Sequence, residues 1–225
     1  MCAHYRIAQI QPLLDLFKVD PSRVAAAPSG FAGEGKPTDS VAALLRNPKS
    51  GDVELRYLKW GLVPSWAKPD WVATKCINAR AETLTERPAY REAYQKRRCI
   101  LPMESFFEFD QTSRYSLCMA DGSPMAVAGL WEARKIGNER PLVTCTMITT
   151  GPNELIATIH DRMPAILRPE HCERWLDPAA DLAELRSLLV PLEPSLMTMR
   201  LDGPRKNSRS RREAQPETET GDLFA

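Results

Sequence analysis

The sequence predicts an α+β fold, a single compact domain with a strand-rich antiparallel core and peripheral helices. Three observations carry this reading. Short β-like runs cluster between residues 98 and 149, turns rather than helices separate them, and the helical stretches are short. A length of 225 residues suits one domain with its own core.

Residues 7–17 space Ile7, Ile10, Leu13, Leu14 and Phe17 as a short helix does. Residues 28–36 hold three glycines between flanking prolines and read as a loop. Residues 41–45 suggest a second helix, and residues 53–63 a strand in which Trp60 leads into Gly61 and Pro64. Strands follow at 98–101, 105–109, 115–119, 125–131 and 143–149, with turns at Asp121-Gly122 and Ile136-Gly137-Asn138. Gly151-Pro152-Asn153 opens a helix over 154–159; a strand at 163–167 and helices at 170–175 and 179–189 come next. From Gly203 the composition turns polar and charged, so the expected domain is 1–203 and 204–225 a disordered tail.

Hydrophobic content of 43% with 26% charged residues is ordinary for a soluble globular protein. No apolar run approaches the ~20 residues that cross a bilayer. No basic segment precedes an apolar stretch at the N-terminus, so a cytoplasmic location is expected, without membrane association. The six cysteines are scattered, no CxxC or HxxxH pair occurs and the three histidines lie far apart. Neither a metal site nor a cofactor is expected, and most thiols read as small core hydrophobes. Net charge is only +1, yet residues 54–98 carry ten Lys/Arg against five acids. That excess suits either a phosphate-facing patch or a solvated helical face.

Cys2 stands apart because of its position. Cysteine is small enough for an aminopeptidase to remove the preceding Met1, leaving a free α-amine beside the thiol. Such a 1,2-aminothiol traps aldehydes. The α-amine, with a pKa near ~7.7–8.0, is far less protonated at neutral pH than lysine. It attacks to give an imine, and the thiol then closes a five-membered thiazolidine at the high effective concentration that proximity gives.

Five blocks follow in order: Trp60-Gly61-Leu62-Val63-Pro64-Ser65-Trp66, Asn78-Ala79-Arg80-Ala81-Glu82-Thr83, Arg98-Cys99-Ile100-Leu101-Pro102, Phe106-Phe107-Glu108-Phe109 and Ile159-His160-Asp161-Arg162-Met163-Pro164. With Cys at position 2, they resemble the SRAP (abasic-site processing) family over roughly residues 1–170. The resemblance implies a compact α+β domain with a positively charged channel for single-stranded DNA. It also implies a thiazolidine crosslink between the N-terminal cysteine and the ring-opened sugar of an abasic site, with lyase activity in some members and a reversible crosslink.

Carried over residue by residue, Cys2 matches the nucleophile. Asn78 matches the asparagine that holds the N-terminal residue and the opened sugar. Glu108 matches a proton shuttle for imine formation, and His160 the histidine that moves a proton at the sugar oxygen. Arg80 and Arg162 match arginines on DNA phosphates, Trp66 an aromatic stacking beside the lesion, and Thr149 a further phosphate contact. His171 matches no block and reads as structural.

The chain departs from the pattern at Cys2-Ala3-His4, where the family has Cys-Gly-Arg, at Ala25-Ala26-Ala27-Pro28, and at Trp66-Ala67, where a tryptophan pair is common. At the tail's end, Asp222, Leu223 and Phe224 resemble the acidic-Leu-Phe motifs by which bacterial repair proteins dock on the sliding clamp. A monomer is expected. Two other functions fit the same residues: a cysteine peptidase using Cys2 and His160, and a non-catalytic single-stranded DNA binder using Trp66 and the arginines.

Overall fold

The computed structural model describes residues 2–7, 10–28, 33–68, 71–135, 137 and 141–205. In chain order its elements are β1 (Tyr5–Ile7), α1 (Gln11–Leu16), β2 (Glu34–Gly35), β3 (Ser40–Arg46), β4 (Val53–Trp60), β5 (Asn78–Arg80), α2 (Pro88–Lys96), β6 (Arg98–Phe109), β7 (Ser113–Met119), β8 (Met125–Arg134) and β9 (Leu142–Thr150). There follow α3 (Glu154–Ala157), β10 (Met163–Pro164), β11 (Ile166–Leu167), α4 (Pro169–Leu176), α5 (Leu182–Ser187) and β12 (Met197–Pro204). The expected tail, with Asp222, Leu223 and Phe224, lies outside the described residues apart from Pro204 and Arg205. So do residues 29–32 of the glycine loop, and Ile136 and Asn138 of one turn.

Five strands form a closed ring of pairings, β3 to β4, β4 to β9, β9 to β8, β8 to β6 and β6 back to β3. This barrel is the strand-rich core of the α+β fold. Pairing is antiparallel except where β9 meets β4 and β5, which run parallel to it. Closure removes the open edges that would otherwise invite pairing with other chains. The barrel's wall is buried on both faces: Leu44 and Ile100 pair on one, Leu101 and Val127 on the other, and with Trp60 all are fully buried.

Segment 41–45 is a correction. It is not a helix but the middle of β3, paired along its whole length with β4 and at Leu44 and Leu45 with β6. Val41 to Leu45 are all buried, and a strand covered on both faces has no alternation for the sequence to display. The helix expected at 7–17 is shorter, because Ile7 belongs to β1 and α1 begins at Gln11. The two strands expected at 98–109 are one, running through Pro102, while 163–167 divides at Ala165 into β10 and β11. The 179–189 helix contracts to Leu182–Ser187, capped by Asp181, whose carboxylate accepts from Ala183 N and Glu184 N.

The basic excess at 54–98 does not form a single surface. Arg98 is buried, and its guanidinium donates to the carbonyls of Tyr94, Gln95, Trp175 and Asp177. It thereby joins the C-terminal ends of α2 and α4, where unpaired carbonyls and the helix dipole favour a cation. Arg97 is half-buried and pairs with Glu132 at 2.8 Å. Arg80, Lys68 and Lys75 do remain exposed.

Candidate active site

The chain enters the fold beside β6. His4 O accepts from Phe107 N at 3.0 Å, and Tyr5 lies opposite Phe106, so Cys2 comes to rest near the end of β6 that carries Glu108. Cys2 is 2% exposed, and its thiol points to His4 O at 3.7 Å. Burial, with the Glu108 carboxylate adding to it, pushes the Cys2 thiol well above the usual range, which keeps it protonated at neutral pH.

Asn78 opens β5. Its register is fixed by parallel pairing with β9 (Asn78 opposite Met147, Arg80 opposite Thr149). The preceding turn is pinned by Trp60 Nε1 and Met147 N, both donating to Ile77 O, and Tyr90 Oη of α2 donates to Asn78 O at 3.2 Å. So held, Asn78 Nδ2 donates to Cys2 O at 2.9 Å. Its Oδ1 is buried and has no hydrogen-bond partner among the described residues. An acceptor left open beside a nucleophile suits a donor brought by another molecule.

Glu108 sits in the aromatic run of β6, opposite Tyr115 on β7, and is 3% exposed. Burial pushes its carboxyl up to about 7, and Asp161 adds to the rise. His160 Nε2 lies 3.9 Å from Glu108 Oε2. The histidine follows α3, a single turn capped by Asn153, and His160 N donates to Ile156 O. Its Nδ1 accepts from Arg162 N at 2.9 Å, which leaves Nε2 as the protonated nitrogen of the neutral ring. Burial lowers the His160 pKa, and the Asp161 carboxylate, 3.1 Å from Nδ1, opposes that. A raised carboxyl beside a lowered imidazole brings the two groups' proton affinities closer together, which suits the pair to pass a proton.

Thr149 and Arg162 meet where β9 pairs with β10. Arg162 Nη2 donates to Thr149 O at 2.6 Å and to Glu82 Oε2 at 2.9 Å, while Nη1 donates to Glu82 Oε1 at 2.7 Å. Thr149, expected on a phosphate, is fully buried, and its hydroxyl faces Ala79 O at 3.5 Å. From there Thr149 O and the hydroxyl, 3.4 Å from Nη2, hold Arg162 from its inner side. Arg80 is exposed and makes no hydrogen bond or ion pair through its side chain among the described residues.

Trp66 is 55% exposed and meets Trp71 edge to face, ring centroids 5.4 Å apart. A second indole therefore stands beside it after all, five residues on, anchored by Trp71 Nε1 to Leu62 O at 3.1 Å. Trp66, Trp71, Lys68, Val72, Lys75 and Cys76 line an open cleft of about 400 Å³. Gly61 makes this turn possible. Its φ of +123° disfavours a side chain, and a Cβ would lie 2.9 Å from Ala73 O.

Sequence reasoning missed Glu82, Tyr90 and Trp71. Tyr90, Ala93 and Tyr94 form the buried face of α2 behind a proline in its first turn, a helical signal that was present in the sequence. Glu82 lies inside the second block without a signal of its partner, and Trp71 had no local signal beyond proximity to a block.

His4 Nε2 pairs with Glu34 Oε2 at 2.8 Å, and its ring lies 4.7 Å from that of Phe107. The residue is turned to the fold and occupied there.

Among the described residues no helix is long and apolar enough to cross a membrane.

Residues 1–202 match the signature of the SOS response associated peptidase (SRAP) family. The abasic site processing protein YoaM of Bacillus subtilis is 37% identical over 183 residues, 76% of this chain and 80% of that one. YoqW of the same organism, also named an abasic site processing protein, is 33% identical over 228 aligned positions, covering 92% and 97%. A solved structure from Bacteroides thetaiotaomicron superposes with a TM-score of 0.73 at 26% identity, over 89% of this chain and 91% of that one. The signature spans nearly the whole described chain, both relatives exceed 30% identity over most of their length, and the motif blocks lie on the elements that build the site: this chain belongs to the SRAP family.

Proposed function

We propose that the protein processes abasic sites in single-stranded DNA, and that Cys2, freed at its α-amine by removal of Met1, bonds covalently to the ring-opened sugar. The observation that carries the reading is the hold of Asn78 on Cys2: Nδ2 to the Cys2 carbonyl at 2.9 Å, with Glu108 and His160 paired nearby. The names of the relatives support the substrate class, since both are called abasic site processing proteins.

The α-amine attacks C1′ of the open-chain aldehyde. The Glu108 carboxyl, poised near neutrality, takes the proton the amine gives up and returns one to the departing hydroxyl, which leaves as water. The thiol of Cys2 then adds across the imine. An S–C1′ bond forms, the thiol proton ends on nitrogen, and the ring closes. Asn78 Oδ1 accepts from the amine or from a sugar hydroxyl. His160 carries protons at the sugar oxygen, in ring opening and in the reverse direction. If elimination from the imine outruns thiol addition, the strand breaks instead, which is lyase chemistry. An abasic nucleotide has no base to expel from a stack, so the site need not extrude one. Arg80 and Arg162 meet the phosphates, and Trp66 with Trp71 offers a stacking edge between Lys68 and Lys75.

A cysteine peptidase would need a thiolate at rest. The Cys2 thiol is buried and turned toward the His4 carbonyl, surroundings that favour the neutral thiol over the thiolate. In a thiazolidine mechanism the amine attacks first, and the thiol loses its proton only as it adds.

Incubation with an abasic oligonucleotide followed by denaturing electrophoresis tests the proposal. A heat-stable shifted band is expected. A shift seen only in native gels would mean binding without the bond, and no shift in either would end the reading.

A further inference from the structure

We propose that Glu82 is an anion gate on Arg162: a carboxylate of the protein itself that occupies the guanidinium in the empty site and yields it to a DNA phosphate. The inference rests on the reading of Arg162 as a phosphate-binding residue, and it deepens that reading by naming what the phosphate must displace.

A count of donors makes the case. Guanidinium has five N–H groups. Glu82 takes one from Nη1 and one from Nη2, the forked geometry a phosphate would use, and Thr149 O takes another from Nη2. The Nε–H is buried and without a partner, which leaves one Nη1–H as the accessible donor. A phosphate arriving at Arg162 therefore finds no forked edge open while Glu82 stays. Two anions side by side on one guanidinium would also repel each other.

The carboxylate is able to leave. Its side chain is 52% exposed, against 12% for that of Arg162. The backbone is held separately, in the turn Ala81–Thr83, with Arg186 Nη2 donating to Glu82 O at 3.2 Å. Rotation of Glu82 into water thus breaks the ion pair without disturbing β5. Meanwhile Thr149 O keeps Arg162 aimed at the site. Arg80, two residues before Glu82, adds its charge to that of Arg162 in lowering the Glu82 pKa. A phosphate that engages Arg80 approaches the same point and competes with Glu82 directly. The gate raises the requirement for binding: a lone anion gains little at Arg162, whereas a strand held at Arg80 as well can displace the carboxylate.

The test is fluorescence anisotropy with a labelled single-stranded oligonucleotide, with wild type, Glu82→Gln, Glu82→Ala and Arg162→Ala, each checked for an unchanged thermal transition. Glu82→Gln and Glu82→Ala are expected to bind about 3- to 10-fold more tightly than wild type at low salt, the difference shrinking as salt rises. Arg162→Ala is expected to weaken binding, and adding Glu82→Gln to it should give much less than the gain seen in the wild-type background. Arg162-dependent binding in the wild type that neither Glu82 variant strengthens overturns the gate and leaves the phosphate reading standing. Weaker binding by both variants also overturns it and makes Glu82 a residue that merely orients Arg162. Wild-type binding indifferent to Arg162 overturns the phosphate reading itself, and the gate with it.

Discussion

Asn78 Nδ2 donates to the carbonyl of Cys2 at 2.9 Å across seventy-six residues of sequence. The bond fixes where the first residue of the processed chain lies, and β5, which supplies Asn78, is itself fixed by β9 and by Tyr90. Asn78→Ala should therefore leave the N-terminal segment loose. Crosslinking to an abasic oligonucleotide is expected to slow at least ~10-fold, while stability falls by only ~1 kcal/mol, the usual worth of one such bond. Tyr90→Phe, which leaves Asn78 in place, should lie between the two. Equal crosslinking rates in wild type and Asn78→Ala would remove Asn78 from the site.

The Glu108 carboxyl is raised by burial to about 7, so the native state binds a proton more tightly than the unfolded chain does. Its contribution to stability is complete below the unfolded pKa near ~4.3 and is lost as pH rises toward 7. Glu108→Gln removes the titration. Denaturant unfolding should find the variant more stable than wild type by ~1–3 kcal/mol at pH 8, and little different at pH 4.5. Crosslinking should slow sharply at both values. A variant that matched wild type in rate would show that no proton passes through Glu108.

This prediction depends on the neighbour His160, whose Nε2 is 3.9 Å from Glu108 and whose Nδ1 is tied to Arg162 N. His160→Ala is expected to change release of a completed crosslink more than its formation. Transfer from a labelled to an unlabelled abasic strand measures release. Unchanged exchange would exclude His160 from the reverse reaction.

Much of the site was legible before the fold was. The blocks and their order single out Cys2, Asn78, Glu108 and His160, and the fold brings them together, with Cys2 just before β1, Asn78 opening β5, Glu108 near the end of β6 and His160 in the loop after α3. What the sequence concealed follows from burial and from distance. Val41 to Leu45, apolar at every position, carries no period that separates a buried strand from a helix. Strand β12 pairs with β7, 78 to 91 residues earlier, and nothing within its own eight residues indicates that partner. The burial of Thr149 was hidden too, because sequence cannot tell the inner end of a strand from its rim. The exchange of a Trp66 neighbour for Trp71 was hidden for the opposite reason: a turn pivoting on Gly61 and Pro64 brings back an indole that adjacency in sequence had lost.

The central claim is tested by changing one atom. Cys2→Ser keeps the α-amine after Met1 removal and replaces the thiol with a far weaker nucleophile. The amine should still form an imine, so borohydride should trap a covalent complex. Without borohydride the imine should hydrolyse or eliminate, leaving little heat-stable product and a fraction of nicked strand. Cys2→Ala should behave in the same way, since it too lacks only the thiol. Blocking the amine, with a retained Met1 or an N-terminal tag, should abolish both the crosslink and the trapped species. A thiolate peptidase predicts the reverse dependence: loss of function with the thiol, indifference to the amine, and no DNA adduct. A tagged, unprocessed chain that crosslinked abasic DNA at the wild-type rate would sink the aminothiol mechanism, since no other group on Cys2 could have formed the imine.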